Sequence, residues 1–234
     1  MNVLVTGAAG YIGSHAVQRL LRDGHTVVAI DNLFRGHAEA IDLLRATSSG
    51  RLHFYEADVG DRAKMHEVMT SHAVTSVLHF AALAYVGESV TQPLRYFRAN
   101  TAASLSLLEA IDMMNGQVNR MVFSSTCSTY GEPSEERIPI AETCPQAPIN
   151  PYGASKLFVE RLLFDYAESL RLAKRPFAFA ALRYFNVAGC DRTCVLGEHH
   201  EPETHLIPVV IQAALGQREG VTIFGTDYPT PDGT

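Results

Sequence analysis

The 234-residue chain is expected to fold as an α/β protein, a doubly wound parallel sheet with part of a smaller C-terminal domain behind it. Three observations predict this. Short β-rich runs alternate with amphipathic helical stretches up to Arg183, the first run leads directly into a glycine-rich turn, and the alternation stops after Arg183. The strands expected are "NVLVT" (2–6), "TVVAI" (26–30), "LHFYE" (52–56), "SVLHF" (76–80), "RMVFSS" (120–125) and "FAFAAL" (177–182). Between the first two, "IGSHAVQRLLRDG" (12–24) puts Ile12, Ala16, Leu20 and Leu21 on one helical face and ends at Gly24. Strand, helix, strand, repeated, means parallel strands covered on both faces. "YFNVAGCDRTCVLGEHHEPETH" (184–205) reads as an irregular loop, "LIPVVIQAALG" (206–216) as a helix, and the closing "VTIFGTDYPTPDGT" as a β-strand with no helix after it. The domains expected are therefore 1–183 and 184–234.

Composition narrows the partners. With 47% hydrophobic and 19% charged residues the chain can bury a substantial core, and a formal charge of −6 provides no basic footprint for nucleic acid or an anionic membrane. Small molecules are the expected ligands. The chain opens on "MNVLVTG" with no basic leader and contains no apolar run long enough to span a bilayer, so a cytoplasmic location is expected. Cys127, Cys144, Cys190 and Cys194 are too few and too scattered for a disulfide framework and are read as reduced thiols. Cys190, Cys194, His199, His200 and His205 crowd one loop, but their spacing matches no familiar zinc pattern, and no metal site is expected.

The glycine turn carries the strongest local signal. In "VLVTGAAGYIGSH", Gly7, Gly10 and Gly13 follow a strand and open a helix, the context required for a backbone turn that receives a pyrophosphate. The second strand ends in "AIDNL", placing Asp31 to accept a hydrogen bond from a ribose 2′-hydroxyl; a carboxylate there repels a 2′-phosphate, which favours NAD over NADP. Arg35 is the minor argument for the phosphate. Asp58, after the third strand, reads either as a contact to the adenine amino group or as a cap for the helix that follows. In "NPYGASK", Asn150 and Pro151 suit a helix start, and Tyr152 and Lys156, four apart, share one face: a phenol beside an ammonium can carry a proton.

Together "TGAAGYIGSH", "DNL", "HFAALAYVGESV", "SSTCSTYG", "NPYGASK", "LRYFNVAG", "ETHLIP" and "IFGTDYPTPDGT", in this order, resemble the extended short-chain dehydrogenase/reductase family and, within it, the UDP-glucose (UDP-galactose) 4-epimerases. The resemblance implies a Rossmann-like fold, a bound NAD, a UDP-sugar substrate and a homodimer. It implies that Tyr152, Lys156 and Thr126 are catalytic, with Thr126, Tyr152, Asn186, Leu206 and Phe224 touching substrate; His205, immediately before Leu206, is read as lining the same pocket. Around the cofactor it implies Gly7, Gly10, Tyr11, Ile12, Gly13, Asp31, Asn32, Asp58, Val59, Phe80, Ala81, Ala82, Asn100, Ser124 and Phe185, together with Tyr152 and Lys156. In the family's chemistry the tyrosinate, favoured by the lysine and the cationic nicotinamide, takes a proton from the sugar 4-hydroxyl while hydride passes from C4 to NAD, and hydride then returns to the opposite face of the 4-keto sugar.

This chain departs from the family's commonest pattern at three places. Thr126 stands where many relatives carry serine, Ala84 and Tyr85 stand where some carry a lysine near the cofactor, and "SSTCST" lacks the Asp-Glu pair of the dehydratases. The reading from sequence is interconversion of UDP-glucose and UDP-galactose. A UDP-pentose (arabinose/xylose) 4-epimerase, an NAD-dependent sugar dehydrogenase and an incomplete NAD-binding module are the alternatives. The chain's end also suggests C-terminal truncation, with NAD bound but UDP-sugar held poorly.

Overall fold

The computed structural model describes residues 1–228 and 230–233; Pro229 and Thr234, which close the last quoted motif, lie outside the described residues. Two compact units are distinguished, Met1–Val187 and Ala188–Thr234. The larger holds strands β1 (Asn2–Thr6), β2 (Thr26–Asp31), β3 (Leu52–Glu56), β4 (Ser76–His79), β5 (Arg120–Thr126) and β6 (Ala178–Tyr184) in one sheet of order β3-β2-β1-β4-β5-β6. Every pairing is parallel. The order reverses between β1 and β4, and a crevice forms there outside the strands' carboxyl ends.

Helices α1 (Tyr11–Arg22), α2 (Ala38–Thr47), α3 (Arg62–Ser71), α4 (Val86–Thr91), α5 (Pro93–Tyr96), α6 (Ala103–Met113) and α7 (Pro151–Leu172) connect the strands, and a π-helical turn (Phe97–Ala102) leads into α6. Side chains of a strand alternate between faces. Leu4, Val28, Ile30, Val77 and Phe123 accordingly pack with Met65 and Met69 of α3, Leu107 and Ile111 of α6, and Val159 and Leu163 of α7. Val3, Val5, Val27 and Ala29 are buried on the other face, as are Val17 and Leu21 of α1 and Ile41 and Leu44 of α2. The unbroken apolar run of β2 follows, since both its faces are covered.

Small departures from expectation have local causes. The buried stripe of α1 is Gly13, Ser14, Val17 and Leu21 rather than the Ile12–Ala16–Leu20 line, because Gly13 must lie flat against the turn after β1. β5 and β6 each extend further than predicted, since the rungs Ser125↔Arg183 and Thr126↔Tyr184 continue the ladder. In the smaller unit, α8 (Leu206–Ala214) forms where expected, and Gly216 just beyond it has φ of 71°. The strand expected from Val221 does not form, as the segment pairs with no other strand among the described residues. No helix among the described residues is long and apolar enough to cross a membrane.

Candidate active site

The crevice is built from the glycine turn upward. Gly7 has φ of 67°, and a Cβ there would lie 2.6 Å from the amide nitrogen of Ala81, so the β1 turn and the segment after β4 touch through backbone alone. A Cβ on Gly13 would lie 2.0 Å from the Gly7 carbonyl oxygen, which makes glycine obligatory for docking α1. At Gly10 an added Cβ would meet only that carbonyl, at 3.3 Å, so the outer side of the turn stays open. No side chain caps α1, and its first turn, with Tyr11, Ile12 and Gly13, carries no acidic residue. A cradle of glycine backbone under an uncapped helix N-terminus suits an anionic diphosphate, and these residues fit a dinucleotide.

Asp31, at the end of β2, is buried and accepts hydrogen bonds from the Ala9 amide (3.0 Å) and the Leu33 amide (2.8 Å). Burial pushes its carboxyl up while the two amides pull it down. Each carboxylate oxygen keeps lone-pair capacity for a ribose hydroxyl. Arg35 is engaged elsewhere: it donates to both Glu88 oxygens at 2.9 Å and lies 4.0 Å over the Tyr85 ring. Burial alone would raise Glu88, but Tyr96, Arg35 and Arg95 together hold its carboxyl below the usual range. The ion pair removes much of the case for a 2′-phosphate partner. Asp58 is not the cap of α3; Asp61 is, accepting from the Lys64 amide at 2.9 Å. Asp58 instead accepts from the Gly60 amide (2.7 Å) and from Asn32 Nδ2 (3.0 Å), tying the ends of β2 and β3 together. Val59 spends its side chain in the core.

After β4, Phe80 and Ala81 follow the rung between Thr6 and His79, with Ala82 next in line. Asn100, buried in the π-helical turn, accepts from the Leu83 amide (2.8 Å) and donates to the Leu83 carbonyl and to Ser155 Oγ, both at 3.0 Å. Its amide thus braces the segment beyond Ala82 against α7. His79 is a satisfied core histidine, bonded to Thr6 (2.6 Å) and Ser104 (2.8 Å), its pKa lowered by burial, and secondarily by Lys156, to about 3.

Tyr152 and Lys156 open α7 as the local chemistry dictates: Asn150 Oδ1 accepts from the Gly153 amide at 2.8 Å, and Pro151 takes the first turn. Thr126 stands at the carboxyl end of β5 beside Tyr152, and its Oγ1 accepts from the Ser128 amide at 3.1 Å. Burial raises the Tyr152 phenol and Thr126 opposes that. Lys156 is buried, its pKa lowered by burial to about 7, and Nζ donates to the Ser124 carbonyl at 2.8 Å. In the protein alone, then, the lysine does not hold the phenol low as the spacing suggested, because its ammonium is itself desolvated and turned to Ser124.

Beyond β6, Phe185 (62% exposed) and Asn186 lie at the surface of the larger unit. In the smaller unit Leu206 and Phe224 are exposed, and His205 contacts Glu198 and Glu203. Sequence reasoning missed the network behind the Tyr-Lys pair. Glu160, one turn past Lys156 and 1% exposed, bonds to Ser125, receives Gln146 Nε2 at 2.9 Å, and pairs with Arg183 at 3.0 and 2.7 Å. An acid four residues after an inward-facing lysine was the available signal.

Comparison with known proteins agrees with this architecture. The family model for the NAD dependent epimerase/dehydratase family matches residues 3–234. The chain is 45% identical over 236 residues to UDP-glucose 4-epimerase of Lacticaseibacillus casei and 47% identical over 239 residues to probable UDP-arabinose 4-epimerase 1 of Oryza sativa subsp. japonica; all of the chain is covered, with 66% and 55% of those proteins. It therefore spans about two thirds or less of the length of these relatives. Among solved structures it is similar to UDP-glucose-4-epimerase from Stenotrophomonas maltophila with bound NAD and formylated UDP-arabinopyranose (TM-score 0.90, 42% identity, all of this chain and 68% of that one). It is equally similar in fold to UDP-glucose 4-epimerase from Bifidobacterium longum in complex with NAD+ and UDP (TM-score 0.90, 37% identity, the same coverage). On fold, glycine cradle and family match alike, the chain belongs to the NAD dependent epimerase/dehydratase family.

Proposed function

We propose that the chain carries the NAD-binding and acid/base machinery of a UDP-sugar 4-epimerase that interconverts UDP-glucose and UDP-galactose. The observation that carries this reading is that Thr126 at the end of β5 acts on the Tyr152 phenol at the start of α7, with Lys156 buried one turn on and bonded to Ser124, in the same unit as the glycine cradle. The cradle of Gly7, Gly10 and Gly13 would hold the diphosphate of NAD, Asp31 the adenosine ribose, and Asp58 with Asn32 the adenine side. Bound NAD supplies reversible two-electron oxidation at sugar C4. Tyr152 takes the 4-hydroxyl proton and returns it, so no proton is lost over the cycle. Thr126 orients the same oxygen, and Lys156, fixed by Ser124, is proposed to contact the cofactor beside it. Asn186, Leu206 and Phe224 are proposed as substrate contacts, which their exposure allows. A homodimer through the outer faces of α6 and α7 is part of the same reading, supported by the exposure of Leu105 and Phe158.

The relatives named for UDP-arabinose favour one second reading, a UDP-pentose 4-epimerase. Chromatography of products from UDP-galactose and from UDP-xylose, each supplied alone, distinguishes the two. Tyr152→Phe keeps the ring and removes the proton carrier, so it is expected to retain NAD, read by its fluorescence when reduced, and to lose at least about 100-fold in kcat on the preferred sugar. Near-full activity in that variant would remove Tyr152 from the chemistry. Stoichiometric release of reduced cofactor would identify a dehydrogenase instead.

A further inference from the structure

Against the expectation from spacing, we propose that Glu198, His200, Glu203 and His205 form a closed, four-ligand site for a zinc ion within the smaller unit. The four side chains offer one ligand atom each, and these atoms all lie within 4.8 Å of one another. The closest approaches are those of a coordination shell. His200 Nδ1 lies 3.4 Å from Glu198 Oε1 and 3.5 Å from Glu203 Oε2, and His205 Nδ1 lies 3.1 Å from Glu198 Oε1 and 3.0 Å from Glu203 Oε1. Ligands about 2.05 Å from a tetrahedral ion sit about 3.3 Å apart, close to these values. Two imidazoles with two carboxylates are a borderline donor set that suits zinc better than magnesium or calcium, which want oxygen only.

Charge supports the same assignment. The Glu198 and Glu203 side chains are only 8% and 7% exposed, so two carboxylates are withdrawn from water side by side. Glu198 Oε1 is buried and accepts no hydrogen bond among the described residues. A dication balances both carboxylates.

The consequence is mechanical. The ligands fall within eight residues, and His205 is the cap of α8 but makes no side-chain cap bond, so the ion would fix where that helix begins. This also reassigns His205 from a sugar contact to a metal ligand.

The test is direct. The purified chain, stripped with a chelator and dialysed, is titrated with Zn²⁺ in competition with a chromophoric chelator, and separately with Co²⁺. One ion per chain with a dissociation constant below about 1 μM is expected, and cobalt is expected to give intense tetrahedral ligand-field bands with no thiolate charge-transfer band. His200→Ala and Glu198→Gln are each expected to weaken zinc at least about 100-fold, with the far-ultraviolet circular dichroism of the metal-free chain unchanged. Absence of stoichiometric zinc in the unaltered chain would overturn the proposal. So would a thiolate–cobalt band, which would move the site to Cys190 and Cys194, or unchanged affinity in both variants.

Discussion

Thr126 Oγ1 accepts from the Ser128 amide, which leaves its own proton to act on the Tyr152 phenol beside it. The threonine works against burial, the larger influence on Tyr152. Thr126→Ala should therefore raise the phenol's pKa and move the acidic limb of the kcat–pH profile upward, besides slowing turnover; Thr126→Ser should restore both. Identical profiles for the Ala and Ser variants would show that the hydroxyl does not touch the reacting proton. Asp31 supports a second prediction. Its carboxylate organises the Ala9 and Leu33 amides and would repel a 2′-phosphate, so Asp31→Ala should weaken NAD and raise the NADP-to-NAD affinity ratio about 10-fold or more. Loosening of the turn alone would lower both affinities and leave the ratio in place. Asp31 was legible from its place at the end of the second strand, and Thr126 through the resemblance carried by "SSTCSTYG". The lowering of Lys156 was not legible, since burial and the Ser124 carbonyl come from β5, 32 residues away.

At the scale of elements, α7 is fastened to β5 and β6 by the Glu160 network rather than by apolar packing alone. Burial would raise Glu160, but Arg183, Ser125 and Gln146 keep it ionised. Arg183 also donates to the Tyr130 hydroxyl (2.7 Å) and the Glu142 carbonyl (3.1 Å). Arg183→Met leaves a buried carboxylate without its cation and should cost about 3–5 kcal/mol of unfolding free energy, read from urea transitions. The double variant Arg183→Met/Glu160→Leu should recover much of that loss, because the unpaired charge is then gone. If Arg183→Met alone costs less than about 1 kcal/mol, the pair is not a fastener. Helix boundaries here were readable from the Asn-Pro start, but the pairing was not: its members are 23 residues apart and meet only because β6 lies next to β5.

Across the whole molecule, the buried His79 links stability to acidity. Its pKa of about 3 lies below the ordinary value, so the folded chain holds it neutral while the unfolded chain protonates it as pH falls below 6.5. Stability is full above that pH and is lost progressively down to about pH 3, with a slope approaching 1.4 kcal/mol per unit for this one group. His72 and His200, both lowered first by burial, add to the slope with the same sign, whereas Glu88, Glu160 and Glu203, all lowered, act only as pH falls through the carboxylate range. Lys156, lowered to about 7, is nearly fully protonated in both states below pH 6, so urea midpoints between pH 6 and 5 read mainly the histidines. His79→Gln should be less stable at neutrality yet flatter by about one proton over that window. An unchanged slope would place the titration elsewhere.

The sequence by itself determined the sheet, the glycine cradle and the Tyr-Lys pair, because these depend on periodicity, on turn chemistry and on residues four apart along one helix, all of which are local. The tertiary structure alone decided which groups share a desolvated volume. It gave Arg35 to Glu88, Asp58 to Asn32, Asn100 to Leu83, Arg183 to Glu160, and two histidines to two glutamates. Those choices follow from burial and from which strand ends and loops lie side by side. Charge state and partner choice are set by dielectric and distance through space, quantities that linear spacing does not carry.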